Sequence, residues 1–152
     1  MSERSGRCMC GAVRFTARDV PDHYGACHCE MCRRWTGAAL LAAEVPVAGV
    51  SWQGGEHIRR LQSSDWAERA WCDRCGTGLY YRVTAPGPMA QNYEIPVGLF
   101  DDTDGMTLGG EIYVDHKIPS LTLPGDHPRL TRQEVLVKFG IAEDPATPEH
   151  GE

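Results

Sequence analysis

The sequence predicts a mainly β domain with a few short helices. Glycine (17 residues) and proline (10 residues) are frequent among the 152 residues, so many turns must connect short elements. Several segments alternate apolar and polar residues, as half-buried strands do, and long helical patterns are scarce. The length fits one domain of about 100–150 residues. We expect that domain to span residues 1–142, followed by a frayed polar tail at 143–152.

The strands follow from alternation and from the turn residues that bound them. Residues 12–17 alternate, residues 22–26 lead into a cysteine-rich segment, and residues 38–47 form an apolar strand. Acidic residues and a glycine at 101–105 indicate a turn. The other predicted strands are 57–62, 68–71, 79–83, 93–100 and 111–114.

Two short helices complete the prediction. Residues 30–35 contain no helix breaker and are followed by Gly37, which favours one helical turn with a stop. Residues 134–141 are compatible with a terminal helix. No segment has the roughly 20 apolar residues of a membrane-spanning helix. The charged Met1–Arg7 segment lacks the apolar run of a signal peptide, so we expect a cytoplasmic protein without a membrane partner.

The composition narrows the range of partners. The formal net charge is −6, and an acidic domain repels the phosphate backbone, so no nucleic-acid partner is expected. Hydrophobic residues make up 41% of the chain, which gives only a modest core. The acidic surface and modest core are compatible with a homodimer.

Seven cysteines in so short a chain call for a specific explanation. In a reducing compartment, clustered cysteines bind metal more often than they form disulfides. Two thiolates separated by two residues can bind one tetrahedral ion from a single tight turn, and Gly76 provides the conformational freedom that such a turn needs. The cysteines form three clusters: Cys8 and Cys10; Cys27, Cys29 and Cys32; and Cys72 and Cys75.

The spacing favours two zinc sites of different kinds. Cys27, Cys29 and Cys32 lie within six residues, so one bend can present all three to one ion and leave one coordination position open. The other two clusters are each half of a four-sulfur site and are economical partners for each other. A four-cysteine site is closed and structural, whereas three ligands with an open position are typical of catalytic zinc. Other pairings are compatible with the spacing.

Alternative interpretations of these clusters remain open at this stage. The Cys72–Cys75 turn could be a redox dithiol, although no thioredoxin-like βαβ pattern accompanies it. The three-cysteine cluster could be a structural site completed by His28 or His116. His28 lies between two ligands, so it more naturally points away from the metal or supports a neighbouring thiolate. The other histidines are expected to be surface or packing residues: His23, His57, His127 and His150.

The motifs resemble those of the glutathione-dependent formaldehyde-activating enzyme family, whose domain also occurs in centromere protein V. The resemblance covers roughly residues 7–118, and its cysteine motifs with their flanks are quite specific. The matching segments are residues 8–15, 27–37, 63–64, 69–79 and 111–117. The chain departs from the family at Glu111, where a histidine is usual, and at Leu121, where an aromatic residue is frequent.

The resemblance implies a zinc-bearing β-tent fold with two Zn²⁺ ions per chain. It implies structural zinc at Cys8, Cys10, Cys72 and Cys75, and catalytic zinc at Cys27, Cys29 and Cys32. The implied activity is that of a carbon–sulfur lyase that joins formaldehyde to glutathione and gives S-hydroxymethylglutathione. Its partners would be small molecules, a thiol and an aldehyde.

The candidate substrate contacts follow the three-cysteine cluster in the sequence. Glutathione is anionic, and Arg33 and Arg34 directly follow Cys32, so they are candidates for its carboxylates. Thr36 is a candidate for the pocket floor. By contrast, Ser63, Ser64 and Arg69 are expected to form structural hydrogen bonds. Two other functions compete with the enzyme: a non-catalytic zinc module that binds a macromolecule, and a redox or zinc-reserve protein.

Overall fold

The structure is a computed structural model and describes residues 1–141. Strands dominate these residues, and the two α-helices are short, so the predicted mainly β class is confirmed. The predicted tail at 143–152 lies outside the described residues. The strands are β1 Ser2–Arg7, β2 Arg14–Val20, β3 His23–Cys27, β4 Leu40–Pro46, β5 Val50–Gln53, β6 Ile58–Gln62, β7 Ala67–Cys72, β8 Gly78–Val83, β9 Asn92–Pro96, β10 Thr107–Ile112 and β11 Arg129–Leu130; the helices are α1 Glu30–Thr36 and α2 Arg132–Lys138.

The chain folds into two compact units, each made of separate stretches of sequence. The first unit comprises Met1–Tyr24 and Leu41–Thr107, and the second comprises Gly25–Leu40 and the chain from Leu108 onward. Neither unit is one continuous stretch of the chain. The predicted domain limits of 1–142 stay a prediction.

The first unit contains two sets of strands. Strands β1, β2 and β5 form an antiparallel sheet with β2 in the middle. A second set has the order β4-β9-β8-β7-β6, with antiparallel neighbours. The core of the first unit contains an aromatic cluster to which both sets of strands contribute. Neighbouring ring centroids are 4.4 to 5.8 Å apart, a spacing at which tilted and edge-on ring pairs attract. The rings are those of Phe15, Trp52, Tyr80, Tyr93 and Phe100.

A glycine permits close backbone packing near the first cysteine pair. Gly54 has a φ of 78°, in the left-handed region that disfavours side chains. The carbonyl oxygen of Ala12 occupies the position where a Cβ on Gly54 would stand. The backbone of residues 8–13 can therefore approach the turn after β5 only because residue 54 has no side chain.

The second unit is smaller and has an unusually polar interior. Its strands have the order β11-β10-β3, and β10 and β11 run parallel. Helix α1 ends at Gly37, which has a φ of 87°, and α2 begins with a capping box between Thr131 and Glu134. His28 and Glu111 are buried in this unit. Since buried charged groups are costly unless they are paired, these two residues require specific partners.

The element boundaries differ from the predicted ones in an informative way. The helix predicted at 30–35 is present with one further residue, and the strand predicted at 38–47 is present in shortened form. The strand predicted at 93–100 ends at Pro96 and is followed by a short 3₁₀ turn. The strand predicted at 111–114 is observed as β10, which begins earlier, at Thr107, and ends at Ile112. It ends there because Tyr113 takes a positive φ of 58°. Nothing in the sequence pattern indicated β1, β5 or β11.

Within residues 1–141, neither helix has the length and apolar character needed to span a membrane.

Candidate metal centres

The first unit brings four cysteine sulfur atoms together. Cys8 and Cys10 lie in the turn between β1 and β2, whereas Cys72 and Cys75 flank the turn between β7 and β8. All four Sγ atoms lie within 4.8 Å of one another, so the group could hold a metal ion. The Cys8–Cys10 and Cys10–Cys72 sulfur distances are 3.6 and 3.9 Å. A tetrahedron with Zn–S bonds near 2.3 Å has edges of roughly 3.8 Å, so the spacing fits zinc.

Backbone hydrogen bonds set the shape of both turns. Cys8 donates its N–H to the carbonyl of Val13, and the N–H of Val13 points back to Cys8 Sγ at 3.3 Å. In the second turn, Gly76 donates to the carbonyl of Cys72 and has a φ of 78°. The predicted role of Gly76 in the turn is therefore confirmed.

The pKa values of Cys72 and Cys75 are shifted in opposite directions. The hydroxyl of Thr77 lies 3.1 Å from Cys75 Sγ, and it lowers the pKa of Cys75 to about 5. Burial raises the pKa of Cys72 to about 11. A bound cation stabilises every thiolate of such a set, so it removes the cost of ionising the buried member.

A charged cluster supports the Cys72–Cys75 turn from outside. Asp73 accepts from His57 Nδ1 at 2.9 Å through one oxygen and from Arg59 at 2.9 Å through the other. The N–H of Asp73 also donates to the carbonyl of His57 at 2.8 Å. His57 was predicted to be an ordinary surface or packing residue; its partly exposed side chain bonds to the turn that carries two cysteines.

The second unit brings three cysteine sulfur atoms together. Cys27 ends β3, Cys29 caps helix α1, and Cys32 lies in the first turn of that helix. The three Sγ atoms lie within 4.8 Å of one another and could hold a metal ion. Cys29 Sγ accepts from the N–H of Cys32 at 3.4 Å, so the helix start itself orients this sulfur. Within residues 1–141, neither His28 nor His116 joins this group as a fourth donor.

The crowding of the three thiols opposes their ionisation without a cation. The pKa of Cys27 is raised well above its ordinary value, first by hydrogen bonding with Cys29 and Cys32, and further by burial. Three adjacent thiolates repel one another, and a divalent cation offsets that repulsion. The donor set is sulfur only, which is the chemistry that selects zinc and other soft metals.

A buried carboxylate in β10 bonds to His28, the residue between Cys27 and Cys29, and to two residues of the segment before α2. Glu111 accepts from His28 Nε2 at 2.7 Å through one oxygen. Through its other oxygen, it accepts from His127 Nε2 at 2.6 Å and from Arg129 Nε at 3.0 Å. Burial acts to raise the pKa of Glu111, but the hydrogen bonds from His127 and His28 outweigh it, so the pKa lies below its ordinary value. Glu111 is therefore ionised at neutral pH.

The sequence did not predict this network. His127 was predicted to be a surface or packing residue; its side chain is 4% exposed, and the prediction did not include its hydrogen bond to Glu111. His150 lies outside the described residues. The available indication was Glu111 itself, a charged residue where the resembling family usually has a histidine.

The three predicted substrate contacts have different surroundings. Arg34 already forms an ion pair with Glu30, at 2.9 Å, on the exposed face of α1. Arg33 Nε is buried and has no hydrogen-bond partner within residues 1–141. The hydroxyl of Thr36 donates to the carbonyl of Cys32 and accepts from the N–H of Ala38, so it serves the helix end. A substrate contact by any of the three stays a prediction.

The residues predicted to form structural hydrogen bonds can also be located. Ser63 donates to the carbonyl of Ala67, and Ser64 accepts from the N–H of Trp66, so both stabilise the turn between β6 and β7. Arg69 is buried in β7, and its guanidinium lies 4.9 Å from the ring centroid of Tyr81.

Comparison with known proteins identifies the family. Residues 3–116 match the sequence profile of the glutathione-dependent formaldehyde-activating enzyme family. The chain belongs to this family. The predicted resemblance is therefore confirmed, and its cysteine motifs fall within the matched residues.

Individual relatives agree with this assignment. A protein of Schizosaccharomyces pombe that is named an uncharacterized lyase is 31% identical over 118 residues, which cover 77% of this chain and 82% of the relative. A protein of Halomonas elongata that carries the family's name is 33% identical over 87 residues, covering 49% of this chain and 53% of the relative. A crystal structure of a Rhodobacter sphaeroides protein has the same fold, with a TM-score of 0.52 and 20% identity; the match covers 82% of this chain and 98% of that one.

Proposed function

We propose that this protein is a zinc-dependent lyase that joins a thiol to an aldehyde at the three-cysteine group. Family membership supports a lyase of the formaldehyde-activating type. The observation that carries the proposal is the group formed by Cys27, Cys29 and Cys32, three sulfur donors with no fourth protein donor within residues 1–141. Three protein ligands leave a tetrahedral ion one position for a substrate.

The metal content that we propose is two Zn²⁺ ions per chain. The four-sulfur group of Cys8, Cys10, Cys72 and Cys75 would saturate one ion, and its role would be to stabilise the fold. The other ion would lie among Cys27, Cys29 and Cys32. The sulfur spacing in the first group and the purely thiol donors of both groups support zinc over hard cations such as magnesium.

The proposed reaction is the addition of glutathione to formaldehyde. A zinc ion held by three thiolates supplies a binding position for a soft thiolate and lowers the pKa of a thiol that binds there. In the addition, a carbon–sulfur bond forms, the carbonyl double bond becomes a single bond, and the thiol proton ends on the carbonyl oxygen. The product is S-hydroxymethylglutathione, and the same site would cleave it in the reverse, lyase direction.

The cationic side chain that we propose for substrate binding is that of Arg33. Its Nε is buried without a hydrogen-bond partner within residues 1–141, and an unsatisfied buried donor is costly unless a ligand accepts from it. A carboxylate of glutathione has the matching chemistry. Arg34 is the weaker candidate, because Glu30 already neutralises it. Thr36 would contribute mainly by fixing the end of α1 next to the site.

The cellular setting that we propose is the cytoplasm, where thiols stay reduced and glutathione is available. The partners would be small molecules, with no nucleic acid, and the protein could act as a homodimer. The alternative function is a non-catalytic zinc module, which predicts either a fourth protein ligand at the three-cysteine group or no pocket beside it. No fourth protein donor joins the group within residues 1–141.

The deciding experiment measures the rate at which glutathione and formaldehyde exchange with their adduct. Exchange NMR would compare wild type, Cys29→Ala and a control, His23→Gln, which alters an exposed residue of β3, the strand that ends at Cys27. We expect wild type and His23→Gln to accelerate exchange equally, and Cys29→Ala to fall to the rate without protein. Equal rates for wild type and Cys29→Ala would remove the catalytic proposal.

A further inference from the structure

The tripeptide Cys27-His28-Cys29 is fastened to strand β10 at two points. The backbone N–H of His28 donates to the carbonyl of Ile112 at 3.0 Å. The ring of the same residue reaches Glu111 through Nε2 at 2.7 Å. Backbone and side chain of one residue are thus held by two consecutive residues of β10. The flanking sulfur donors therefore have little freedom to move relative to that strand.

Glu111 is itself held in place from the opposite side. Strand β10 is the middle strand in the order β11-β10-β3, and Glu111 pairs with Arg129 of β11. His127 and Arg129 donate to the carboxylate oxygen that His28 does not use. One carboxylate therefore links the segment before α2 to the residue between two cysteines.

The burial of this cluster removes polar and charged groups from water, which costs free energy of folding. Glu111 is 3% exposed and His28 is fully buried. Removing one member of a buried hydrogen-bonded pair leaves the other without its partner, at a cost in stability. An apolar pair would fill the same space without desolvating a charge. The geometry, with the carboxylate bonded to the ring of the residue that lies between two sulfur donors, indicates a role toward those donors.

We propose that Glu111 is a positioning residue, which fixes the ring of His28 and thereby the arrangement of the Cys27, Cys29 and Cys32 sulfur atoms for metal binding. His127 and Arg129 act through Glu111 by holding its carboxylate in one orientation. Substituting a residue that hydrogen-bonds to the ligands of a metal typically lowers the metal affinity of the site about 10- to 100-fold. The inference rests on the proposed metal function of the three-cysteine group.

The test uses Cd²⁺ as a probe of both cysteine groups in one molecule. Cadmium-113 NMR should give two signals in wild type, one for each group, because four and three sulfur ligands shield cadmium differently. In Glu111→Gln, the side chain keeps its size but loses its charge, and its single amide oxygen can accept from His28 or from His127 and Arg129, but not from both sides. We expect the signal of the three-cysteine group to shift and its Cd²⁺ to exchange into a chelator roughly tenfold or more faster. The four-cysteine signal should keep its position and rate.

A matched control separates positioning from loss of charge. Glu30→Gln removes one negative charge directly after Cys29, but on an exposed side chain. We expect both cadmium signals and both exchange rates to match wild type in this variant. If Glu111→Gln is not folded, His127→Phe removes one donor to Glu111 and should cause a smaller change with the same sign at the same group.

The outcomes separate this inference from the function on which it rests. Two signals in wild type and an unchanged three-cysteine signal in Glu111→Gln would overturn the positioning role alone. Equal changes at both groups would also overturn it, since they would indicate a general loss of stability. A wild-type protein that binds cadmium at the four-cysteine group only would overturn the proposed function and this inference together.

Discussion

Glu44 and Glu94 are direct partners across the antiparallel pair of β4 and β9. Two like charges opposite each other destabilise a sheet. Glu94 is half-buried, and burial, together with the charge of Glu44, raises its pKa to about 7. Because Glu94 keeps its proton up to near neutral pH, the repulsion between the Glu44 and Glu94 carboxyl groups is reduced.

Glu94→Gln should change how stability depends on pH. The folded protein binds the Glu94 proton more tightly than the unfolded chain, whose ordinary pKa is 4.5. The contribution of Glu94 to the stability of wild type should therefore be greatest below pH 4.5. That contribution should be lost as the pH rises toward 7. A shift of this size corresponds to roughly 3 kcal/mol at most. In the variant this fall should be absent, so Glu94→Gln should melt at a higher temperature than wild type at pH 8.

The control for this prediction is Glu44→Gln, which removes only the smaller cause of the shift. It should flatten the pH profile in part, since the burial of Glu94 remains. Urea denaturation at a series of pH values measures all three proteins. Parallel profiles for wild type and Glu94→Gln would contradict the assignment.

Cys75→Ala should destabilise the first unit and lower the zinc content by one ion per chain. A closed four-thiolate zinc site contributes on the order of 10 kcal/mol of apparent binding energy to folding. Thr77→Val is the matched control, because it keeps all four sulfur ligands but removes the hydroxyl that contacts Cys75. It should retain both ions and lose much less stability. Thermal melting with zinc analysis provides the measurement, and a Cys75→Ala protein that melts like wild type would contradict a structural site.

Mild chelation should remove one zinc ion and leave the other. The three-cysteine group offers an incoming chelator an open coordination position, whereas the four-cysteine group is already saturated. Native mass spectrometry should therefore show conversion from two ions to one per chain, with the fold intact by circular dichroism. Simultaneous loss of both ions would indicate that the groups do not differ in the proposed way.

The cysteine grouping was accessible from the sequence because it depends on local spacing. Cys27, Cys29 and Cys32 lie within one bend, so their convergence requires no knowledge of the fold. The pairing of the Cys8 and Cys72 clusters was the economical one among several that the spacing allowed, and it is now seen in the sulfur distances. Helix α1 was also predicted, because its stop at Gly37 is a local effect.

Features that depend on distant residues were not accessible. Strand β1, Ser2–Arg7, has no apolar alternation, and it forms because β2 offers it a partner. The network around Glu111 joins His28 to a residue 83 positions away, a contact that no local pattern encodes. The sequence did not predict strand β1 or the Glu111 network because tertiary contacts override local sequence preference at both places.

Gly54→Ala should lower the stability of the first unit. The backbone there has a φ of 78°, and the new methyl group would collide with the carbonyl of Ala12. Backbone must move to relieve the contact, so we expect a loss of about 2 kcal/mol or more. Gly55→Ala is the matched control, since its Cβ would meet no atom within 4 Å. Urea denaturation distinguishes the two, and equal stability of the variants would contradict the close approach.

Arg33→Met should raise the KM for glutathione more than Arg34→Met does. Arg33 carries a buried Nε without a partner within residues 1–141, whereas Arg34 is bound to Glu30. Loss of one charge-assisted hydrogen bond of about 1.4 kcal/mol would raise KM roughly tenfold. Arg34→Met should change KM less than about twofold, because an exposed ion pair contributes little. Arg33→Lys should recover part of the affinity, since it restores the charge without the planar donor set. A larger effect from Arg34→Met would reverse the assignment and identify the exposed guanidinium as the one that meets the substrate.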